Sequence, residues 1–587
     1  MANQLPEHLK KYIVEQDEAK YTPIDQACWR YVMRQLRDFL CIYAHESYID
    51  GLTQTGISTE SIPQISEISS HLEKFGWRAL PVSGFIPPAA FMELQALSVL
   101  PIASDMRTLG HIMYTPAPDI VHEAAGHAPL LANKEFSDYL KKYAQVARKA
   151  IISREDLDVY AAIRELSDIK EHPQSTEAEI ENAQKKLEQV SKQTTHISEA
   201  SQLSRMNWWT AEYGLIGSLE NPKIFGAGLL SSVGEAKSCL DAKVKKIPLT
   251  VDCIHQGYDI TEQQPQLFVT PDFKTLSIVL DEFANQMAFK LGGLKGVQKA
   301  IQAESVNTVE LDSGLQISGI CKNAITETNT LQNISYIQFE GPCQLSFQDH
   351  QIPGQGKDYH QHGYGTAIGA ISNPAGAGTG SVKLSDCSES DLTIWAWEKN
   401  KKISLQFISG IQVSGVLQNI YFQNGKLLLM AFADCTVVDK NSGKILFEPA
   451  WGIYDLAIGN TVTSVFGGPA DRKTYGEAED FVAARVPQKQ YSPEELQKHQ
   501  LYQSVRNLRK DAKLNIHLNA EIQSIYERAL SIANQDWLLF LECYEITCLR
   551  DNTENLQLLL LNKLNEFRTT NTEQKKMIDD GLRLIHI

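Results

Sequence analysis

The feature that most limits the possible folds is a change of residue pattern near residue 304 and again near residue 488. Before 304, apolar residues recur at helical spacing. Between 304 and 487, β-branched and aromatic residues alternate with polar ones, and after 488 the helical spacing returns. The two periodicities direct side chains differently, so each change of pattern marks a change in the type of secondary structure. We therefore predict a multi-domain protein with a mainly α-helical region over 1–303, a β-rich region over 304–487 and a helical C-terminal region over 488–587.

The predicted β-rich region contains turn signals and a short repeat. Asn424-Gly425 lies between two strand-like runs, which is typical of a two-residue β-hairpin. Residues 313–320 read SGLQISGI and residues 409–416 read SGIQVSGV, so five of the eight positions are identical. This similarity suggests that the region consists of two related halves.

Charge and composition exclude several kinds of partner. The chain has 71 acidic and 55 basic residues, a net charge of −16, and no dense basic stretch for nucleic-acid phosphates. No apolar run approaches the ~20 residues that cross a bilayer, and Met1–Gln16 lacks the apolar core of a secretory signal. The ten cysteines form no CxxC pair, which is typical of reduced thiols. We expect a cytoplasmic protein that binds neither nucleic acid nor membrane.

The N-terminal region contains helices that bear on a possible site. Apolar spacing predicts helices over Phe91–Leu100 and Asn207–Leu219, and Asp119 is a suitable N-cap for a helix that begins near it. Residues 152–200 are highly charged and poor in aromatic residues. We interpret them as a solvated helical insertion that carries no chemistry.

The strongest chemical motif reads His122-Glu123-Ala124-Ala125-Gly126-His127. Histidines four apart on an α-helix face one ion, as in metallopeptidases, but a spacing of five corresponds to a rotation of about 140°. Pro129 lacks an N–H group and crowds the carbonyl group of Ala125, so the helix either ends here or includes a wider turn. Either geometry would let both histidines reach one metal ion.

A carboxylate further along the chain can complete a metal site. Glu212 lies in an apolar, aromatic helical stretch, where an isolated carboxylate needs a partner. Two histidines and one carboxylate would form a facial triad that leaves coordination positions open and suits non-haem Fe(II). The alternative is an exposed glutamate between aromatic core residues.

These motifs, in this order, resemble those of the pterin-dependent aromatic amino acid hydroxylases, which comprise the phenylalanine, tyrosine and tryptophan hydroxylases. The resemblance covers roughly residues 60–290 and implies the catalytic-domain fold of that family for residues 1–303. The matching words are Gly76-Trp77-Arg78, Pro81-Val82-Ser83-Gly84, Tyr114-Thr115-Pro116, Pro118-Asp119, the histidine motif, Trp208, Glu212-Tyr213-Gly214-Leu215, Phe225-Gly226-Ala227-Gly228-Leu229-Leu230-Ser231-Ser232 and Gly234-Glu235.

The resemblance implies an iron- and tetrahydropterin-dependent monooxygenase that uses O2. It implies that iron is held by His122, His127 and Glu212. Arg107 would pair with the substrate carboxylate through its planar fork of donors, and Asp119 would brace Arg107. The residues implied on the substrate side are Arg107, Asp119, Thr115, Trp208, Gly228, Ser231 and Val269, and those on the pterin side are Phe91, Ile86 and Glu123.

Two of these residues have more specific implied roles. Ser231 is a candidate hydrogen-bond partner for the ring of an iron-binding histidine. Val269 aligns where tyrosine hydroxylases have aspartate and phenylalanine hydroxylases have an apolar residue, so it favours phenylalanine as the substrate and tyrosine as the product. Tyrosine or tryptophan hydroxylation is the alternative.

Other functions remain open from the sequence. A zinc hydrolase could use the same three ligands with Glu123 as the base, and a binding protein could have kept the scaffold without catalysis. His360 and His362, in a glycine-rich segment, could bind a second metal, although a loop is the simpler interpretation. The C-terminal helices could dock on the catalytic region or mediate oligomer formation.

Overall fold

The computed structural model describes residues 5–83, 86–113, 118–171, 175–259, 262–327, 333–374, 380–476, 491–511, 517–549 and 553–585. Within these ranges the chain forms a helical N-terminal region, a β region and a group of C-terminal helices. All ten cysteines are unpaired. None of the helices in the described ranges is long and apolar enough to span a bilayer.

The N-terminal region is mainly helical, as the residue pattern predicts. Its longest helix begins with a capping box, in which Thr22 and Asp25 bond each other's backbone N–H groups, and Pro23 occupies the first turn. The helices are α1 (Glu7–Lys10), α2 (Pro23–Tyr43), α3 (Ser47–Gln54), α4 (Ile65–Leu72), α5 (Pro88–Ala96), α6 (Lys134–Ala147), α7 (Arg154–Glu171), α8 (Glu177–Gln193), α9 (Glu199–Asn207), α10 (Ala227–Leu230), α11 (Val233–Ser238), α12 (Phe273–Ala284), α13 (Ala288–Leu291) and α14 (Gly293–Ala303).

Two small sheets complete this region. Strands β1 and β2 pair in parallel on either side of α5, and the second sheet has the order β4-β3-β6-β5. The strands are β1 (Arg78–Val82), β2 (Val99–Ala103), β3 (Leu215–Gly217), β4 (Pro222–Ile224), β5 (Lys245–Pro248) and β6 (Gln266–Thr270).

Two of the predicted helices are wrong at their C-terminal ends. The helix expected over Phe91–Leu100 stops at Ala96, because Val99 enters β2 and pairs with β1. The helix expected over Asn207–Leu219 stops at Glu212, because Leu215 enters β3. Gly214 lies between them, where the Phe225 ring and the Thr210 carbonyl leave no space for a side chain. Tertiary pairing overrides the local apolar spacing at both sites.

The charged segment 152–200 contains the helical hairpin of α7 and α8, as the composition predicts. A capping box at Thr176 starts α8, and Lys186 lies 2.5 Å from Glu165 across the hairpin. The sequence of this segment also places a helix-breaking proline, Pro173, between the two helices, and that residue lies outside the described ranges.

The β region contains two large sheets, each organised around a long antiparallel hairpin, and a two-stranded sheet of β12 and β13. One sheet has the order β10-β9-β8-β7-β19, with β11 also on β9, and the other has the order β14-β15-β16-β17, with β18 also on β16. The elements are β7 (Val306–Leu311), β8 (Leu315–Thr326), β9 (Ile334–Phe347), β10 (His350–Gln351), β11 (Gly363–Ala367), β12 (Ile371–Ser372), β13 (Ser381–Val382), α15 (Glu389–Ile394), β14 (Lys402–Gln406), β15 (Ile411–Gln423), β16 (Lys426–Asp439), β17 (Ile445–Phe447), β18 (Tyr454–Ala457), β19 (Val462–Gly467) and α16 (Arg472–Tyr475).

The two octapeptides occupy corresponding places in these sheets. Each begins at a turn with a glycine of positive φ, Gly314 at 90° and Gly410 at 94°, and runs into the first strand of a long hairpin. A register shift follows in each strand at the next glycine, Gly319 or Gly415. This correspondence supports the expectation of two related halves, which stays a prediction. The predicted hairpin at Asn424-Gly425 is confirmed, with both residues at positive φ between β15 and β16.

The C-terminal helices pack on the N-terminal region. Their buried side chains belong to the same apolar core as those of α2, including Phe540, Leu560 and Ile578. The ring of Trp537 meets Tyr31 of α2 edge-on at 5.2 Å, and the Tyr31 hydroxyl donates to the Met577 carbonyl. The helices are α17 (Pro493–Asp511), α18 (Leu518–Ile532), α19 (Trp537–Cys548), α20 (Glu554–Thr570) and α21 (Thr572–Ile585).

Candidate metal centre and substrate site

The histidine motif forms a π-helix, Val121–His127. The backbone N–H of Ala128 bonds to the carbonyl of Glu123, five residues earlier, which is the π-helical pattern. In such a wider turn His122 and His127 come round to the same side of the helix. The structure therefore contains the wider turn that the five-residue spacing requires.

The carbonyl group of Ala125, which receives no helical N–H from Pro129, has another hydrogen-bond donor. The hydroxyl of Tyr48, which is fully buried on α3, donates a 2.9 Å hydrogen bond to the carbonyl of Ala125. This bond compensates for the helical bond that proline cannot make. Sequence reasoning identified the open carbonyl but missed Tyr48, because the residues are 77 positions apart.

Replacement of Tyr48 with phenylalanine tests this support. The change keeps the ring and leaves the buried Ala125 carbonyl without its donor, so we expect a loss of about 1–3 kcal/mol in the free energy of unfolding. Urea denaturation measures it. Tyr526→Phe, at a half-buried ring of α18, is the control, and an equal loss in both variants would contradict a specific role for Tyr48.

Glu212 ends a second π-helix, Trp208–Glu212, that continues directly from α9. The N–H of Tyr213 bonds to the carbonyl of Trp208 at 2.8 Å, again five residues back. The side-chain amide of Asn207 donates to Glu212 Oε1 at 3.2 Å and thereby orients the carboxylate. Asn207 is a functional residue that sequence reasoning missed, and its signal was a polar side chain five residues before Glu212.

The two π-helices bring their side chains together. Glu212 Oε2 lies 3.2 Å from Nε2 of His122, and Glu212 Oε1 lies 3.3 Å from Nε2 of His127. The histidine ring centres are 5.0 Å apart, and the rings are nearly perpendicular at 81°. The three side chains thus point their donor atoms at one small volume.

The electrostatics follow from this proximity. Burial alone would raise the pKa of Glu212, but the two histidines hold it well below its ordinary value. Burial alone would lower the pKa of His127, but Glu212 raises it to about 9. A carboxylate that stays ionised beside two imidazoles is a suitable partner for a metal cation.

Glu123 is a second carboxylate close to the histidines. One donor atom each from His122, Glu123 and His127 lie within 4.8 Å of one another, so Glu123 is a geometric alternative to Glu212 as a ligand. Burial raises the pKa of Glu123, and its Oε2 has no hydrogen-bond partner among the described residues. Glu212 is the better candidate ligand, because its two oxygens face both histidines and it remains an anion.

Ser231 determines the tautomer of His122. The Ser231 hydroxyl donates to the Ala227 carbonyl at 2.7 Å and lies 3.1 Å from Nδ1 of His122. Since the hydroxyl proton is already used, Nδ1 must be the donor in this second bond. The lone pair of Nε2 therefore faces Glu212 Oε2, and two acceptors at 3.2 Å require a cation, a proton or a metal ion, between them.

Close backbone packing holds Ser231 against the histidines. α10, which precedes Ser231, lies directly on the first π-helix. A Cβ atom on Gly126 would lie 2.7 Å from the carbonyl oxygen of Ala227, so only glycine allows this approach. The glycine in the histidine motif is therefore explained by the position of Ser231.

Arg107 and Asp119 form a buried pair beside the histidines. Nε and Nη2 of Arg107 donate to the two carboxylate oxygens of Asp119 at 2.7 and 2.8 Å. Nη1 donates to the Ser231 carbonyl at 3.1 Å, and Asp119 also accepts the N–H of His122 at 3.0 Å. Asp119 thus braces the arginine and caps the π-helix at the same time.

Trp208 lies in a stack of three aromatic rings. Tyr213 and Tyr258 lie on its two faces, with ring centres 4.4 and 4.3 Å away. Gly228 is next to this stack, since a Cβ there would lie 2.8 Å from the Tyr213 ring. Tyr258 was missed by sequence reasoning, because nothing in its own segment distinguishes it from a core aromatic residue.

Of the remaining candidates, Val269, Phe91 and Ile86 lie within the described residues. Val269 is buried in β6 and pairs with Leu215, three residues after Glu212. Phe91 and Ile86 share a separate apolar cluster with α1 and β1. Thr115 lies outside the described residues.

The glycine-rich histidines of the β region are not grouped with other ligands in the part of the chain that the structure describes. His360 is buried, and its Nε2 lies 2.6 Å from Oε1 of Gln355. Burial lowers the pKa of His360 to about 4. His362 is exposed. His360 therefore behaves as a neutral core histidine.

Glu235, at the start of α11, is expected to make the stability of the fold depend on pH. It is 3% exposed, and burial raises its pKa to about 7 from the ordinary value of 4.5. Between these values the folded state binds more protons than the unfolded state, so stability falls as pH rises. We expect Glu235→Gln to raise the free energy of unfolding by up to about 3 kcal/mol at pH 8 and by little at pH 5, because one pKa unit corresponds to ~1.4 kcal/mol. Denaturant unfolding at both pH values measures this, and an equal gain at both would contradict it.

Comparison with known proteins identifies the family. The family model described as biopterin-dependent aromatic amino acid hydroxylase matches residues 9–155 and 180–333. The chain belongs to this family. The match is wider than the motifs indicated, and it is interrupted inside the charged segment that contains α7 and α8.

Curated relatives agree with this assignment, and a solved structure is similar to part of the chain. The chain is 28% identical over 260 residues to a phenylalanine-4-hydroxylase of Mesorhizobium japonicum, covering 44% of this chain and 78% of the relative. It is 31% identical over 235 residues to that of Pseudomonas aeruginosa, covering 40% and 72%. The Chromobacterium violaceum phenylalanine hydroxylase, solved with iron(III) and oxidised 7,8-dihydrobiopterin, is 25% identical, covers 47% and 86% of the two chains, and has a TM-score of 0.38.

Proposed function

We propose that this protein hydroxylates phenylalanine to tyrosine with O2, using iron(II) and a tetrahydropterin. The observation that carries the proposal is the convergence of His122, His127 and Glu212 beside the buried Arg107–Asp119 pair. Family membership supports the pterin dependence and the aromatic amino acid as substrate. The relatives named phenylalanine-4-hydroxylase support phenylalanine.

The donor set fits iron. Two imidazoles and one carboxylate form the facial triad that binds non-haem Fe(II) and leaves positions open. The Nε2 atoms of His122 and His127 lie 3.2 and 3.3 Å from the two Glu212 oxygens, so the three side chains can share one ion. When bound, iron and tetrahydropterin would together supply the chemistry that activates oxygen.

The remaining residues bind and orient the substrate. In the described part of the chain, three of the five N–H donors of Arg107 bond to Asp119 and Ser231, which leaves two for a substrate carboxylate. Because Asp119 also caps the π-helix, the carboxylate anchor and His122 are held at a fixed separation. The stacked rings around Trp208 provide an apolar wall that excludes water from the reacting ring.

Ser231 links the substrate anchor to the metal ligands. Ser231→Ala would free Nδ1 of His122 and remove the bond that fixes its tautomer. We expect iron affinity to fall about 10–100-fold, the usual effect of losing such a partner. Metal titration of the apoprotein measures this, with Ser232→Ala as the neighbouring control. Equal iron affinity in both variants would contradict the role of Ser231.

A panel assay tests the substrate. The full-length protein is mixed with Fe(II), a tetrahydropterin and O2, and kcat/KM is measured for phenylalanine, tyrosine and tryptophan. We expect phenylalanine to have the highest value, because an apolar residue, Val269, lies where an aspartate would favour tyrosine. A preference for tyrosine or tryptophan would overturn this choice of substrate and keep the reaction class.

A zinc hydrolase is the second candidate. It is favoured by one observation, the buried Glu123 whose Oε2 lacks a partner among the described residues and could act as a base. Metal analysis of anaerobically purified protein distinguishes the zinc hydrolase from the iron-dependent monooxygenase. Stoichiometric zinc together with hydrolase activity would replace the iron proposal.

A further inference from the structure

Helix α5, which carries Phe91, is tied to the rest of the molecule through a buried carboxylate. Glu93 is 7% exposed. Its Oε1 lies 3.1 Å from Nε2 of His8 in α1, and its Oε2 accepts a 3.3 Å hydrogen bond from Nη1 of Arg472 in α16. Burial would raise the pKa of Glu93, but these two partners lower it. One oxygen of the carboxylate is thus paired with His8 near the N-terminus, and the other with Arg472 next to the β region.

Arg472 is itself fixed by the β region. Asp471 begins α16 by accepting the N–H of Thr474 at 3.2 Å, and it also accepts the N–H of Gln351 in β10 at 2.9 Å. The side chain of Gln344 in β9 donates to the Thr474 hydroxyl at 2.8 Å. The arginine that reaches α5 is therefore anchored on the strands β9 and β10.

The β region is packed tightly on the N-terminal region next to α5. Gly467 at the end of β19 meets the Ala150 carbonyl so closely that no Cβ would fit, and its N–H bonds to the Lys149 carbonyl at 3.1 Å. The ammonium group of Lys149 lies 3.7 Å above the Phe466 ring. These contacts follow directly after α6, against which α5 packs. The β region therefore has a fixed position relative to α5.

Glu93 is placed to orient α5 without touching what Phe91 binds. The two residues are two positions apart, which is about 200° around an α-helix. Phe91 and Ile86 lie in an apolar cluster with Leu9 of α1 and with Tyr12, which follows that helix. The same carboxylate thus connects the β region, α5 and the helix that packs on Phe91.

We propose that the β region positions the pterin side of the active site, and that Arg472 and Glu93 are its positioning residues. The Arg472–Glu93 pair holds α5 between β1 and β2 so that the Phe91 ring has one orientation for stacking. This inference rests on the proposed function, in which Phe91 stacks on the pterin. It gives the β region a role in cofactor binding.

Cofactor affinity measured without turnover tests the proposal. Binding of 7,8-dihydrobiopterin to full-length protein is measured by calorimetry for the wild type, Arg472→Gln and Glu93→Gln. We expect the dissociation constant to rise about tenfold in each variant, and no further in the double variant, since the residues act as a pair. Arg472→Lys should recover part of the affinity. Lys473→Gln, which removes the same charge from the exposed neighbour, is the control.

The outcomes separate this inference from the proposed function. In turnover assays, Arg472→Gln should raise KM for tetrahydropterin about tenfold and leave KM for phenylalanine unchanged. Wild-type affinity in Arg472→Gln, or equal changes in both KM values, would overturn the positioning role and leave the proposed function intact. Wild-type protein that binds no dihydropterin would overturn both. Thermal unfolding of each variant shows whether it is folded.

Discussion

Replacing His127 with alanine is expected to abolish stoichiometric iron binding and reduce kcat/KM by more than about 100-fold. Loss of a residue that only supports a ligand costs about 10–100-fold, so loss of the ligand itself costs more. The effect arises because Glu212 then faces one histidine instead of two. Iron content by atomic spectroscopy and product formation measure the two effects separately.

His360→Gln is the matched control for His127→Ala. His360 is also a buried histidine, 8% exposed against 3% for His127, but it lies in the β region and bonds to Gln355. We expect it to retain iron and activity. Retained iron in His127→Ala, or its loss in His360→Gln, would contradict the assigned ligand set.

The second large effect concerns the attachment of the C-terminal helices to α2. Arg30 of α2 is buried, and it donates to Glu542 at 3.0 Å and to both oxygens of Glu545 at 2.5 and 2.6 Å. Arg509 of α17 and Arg34 of α2 also pair with Glu545. The network lies between α2, α17 and α19, so removing Glu545 takes a carboxylate partner from three arginines and leaves excess positive charge at a buried site.

Glu545→Ala is expected to lower the free energy of unfolding by about 3–5 kcal/mol, the usual cost of breaking a buried ion pair. Glu60→Ala is the control, because Glu60 bonds the same Arg30 from a half-exposed side chain and should cost less than about 1 kcal/mol. Urea unfolding measures both. Similar values for the two variants would show that the network does not hold the C-terminal helices.

The same contacts determine what a truncated protein would do. A chain that ends at residue 303 would lose the core residues contributed by α17 to α21 and expose the face of α2 that they cover. A segment with an uncovered apolar face, in which Arg30 has lost Glu542 and Glu545, should aggregate. We therefore expect the catalytic region to need its C-terminal helices in order to fold.

Much of the metal centre could be predicted from the sequence. The ordered motifs indicated the family, and the five-residue histidine spacing with Pro129 indicated either a helix end or a wider turn, of which the structure has the wider turn. The helix boundaries near Glu212 could not be predicted, because the pairing of Leu215 with Ile224 and Val269 depends on distant strands. The partners of the site, Tyr48 and Tyr258, are equally distant in the sequence.

In the C-terminal half, the sequence predicted the type of secondary structure and not the contacts between its elements. Helical spacing predicted a helical C-terminal region, where the structure has α17 to α21, yet an apolar stripe does not indicate which surface covers it. The network of Glu542 and Glu545 with Arg30 spans more than 500 residues of sequence and becomes visible only when the helices are placed. The short repeat in the β region indicated turns and strands, and gave no indication of the contact from Arg472 to α5.

The most direct test of the central claim is tyrosine formation by the full-length protein. Apoprotein is supplied with phenylalanine, O2, Fe(II) and a tetrahydropterin, and parallel reactions omit the metal or the pterin. The proposed function predicts tyrosine in a ratio of about one to each tetrahydropterin oxidised, and none when either cofactor is left out. Tyrosine that forms without the pterin, or no hydroxylated product from any aromatic amino acid in the complete mixture, would contradict it.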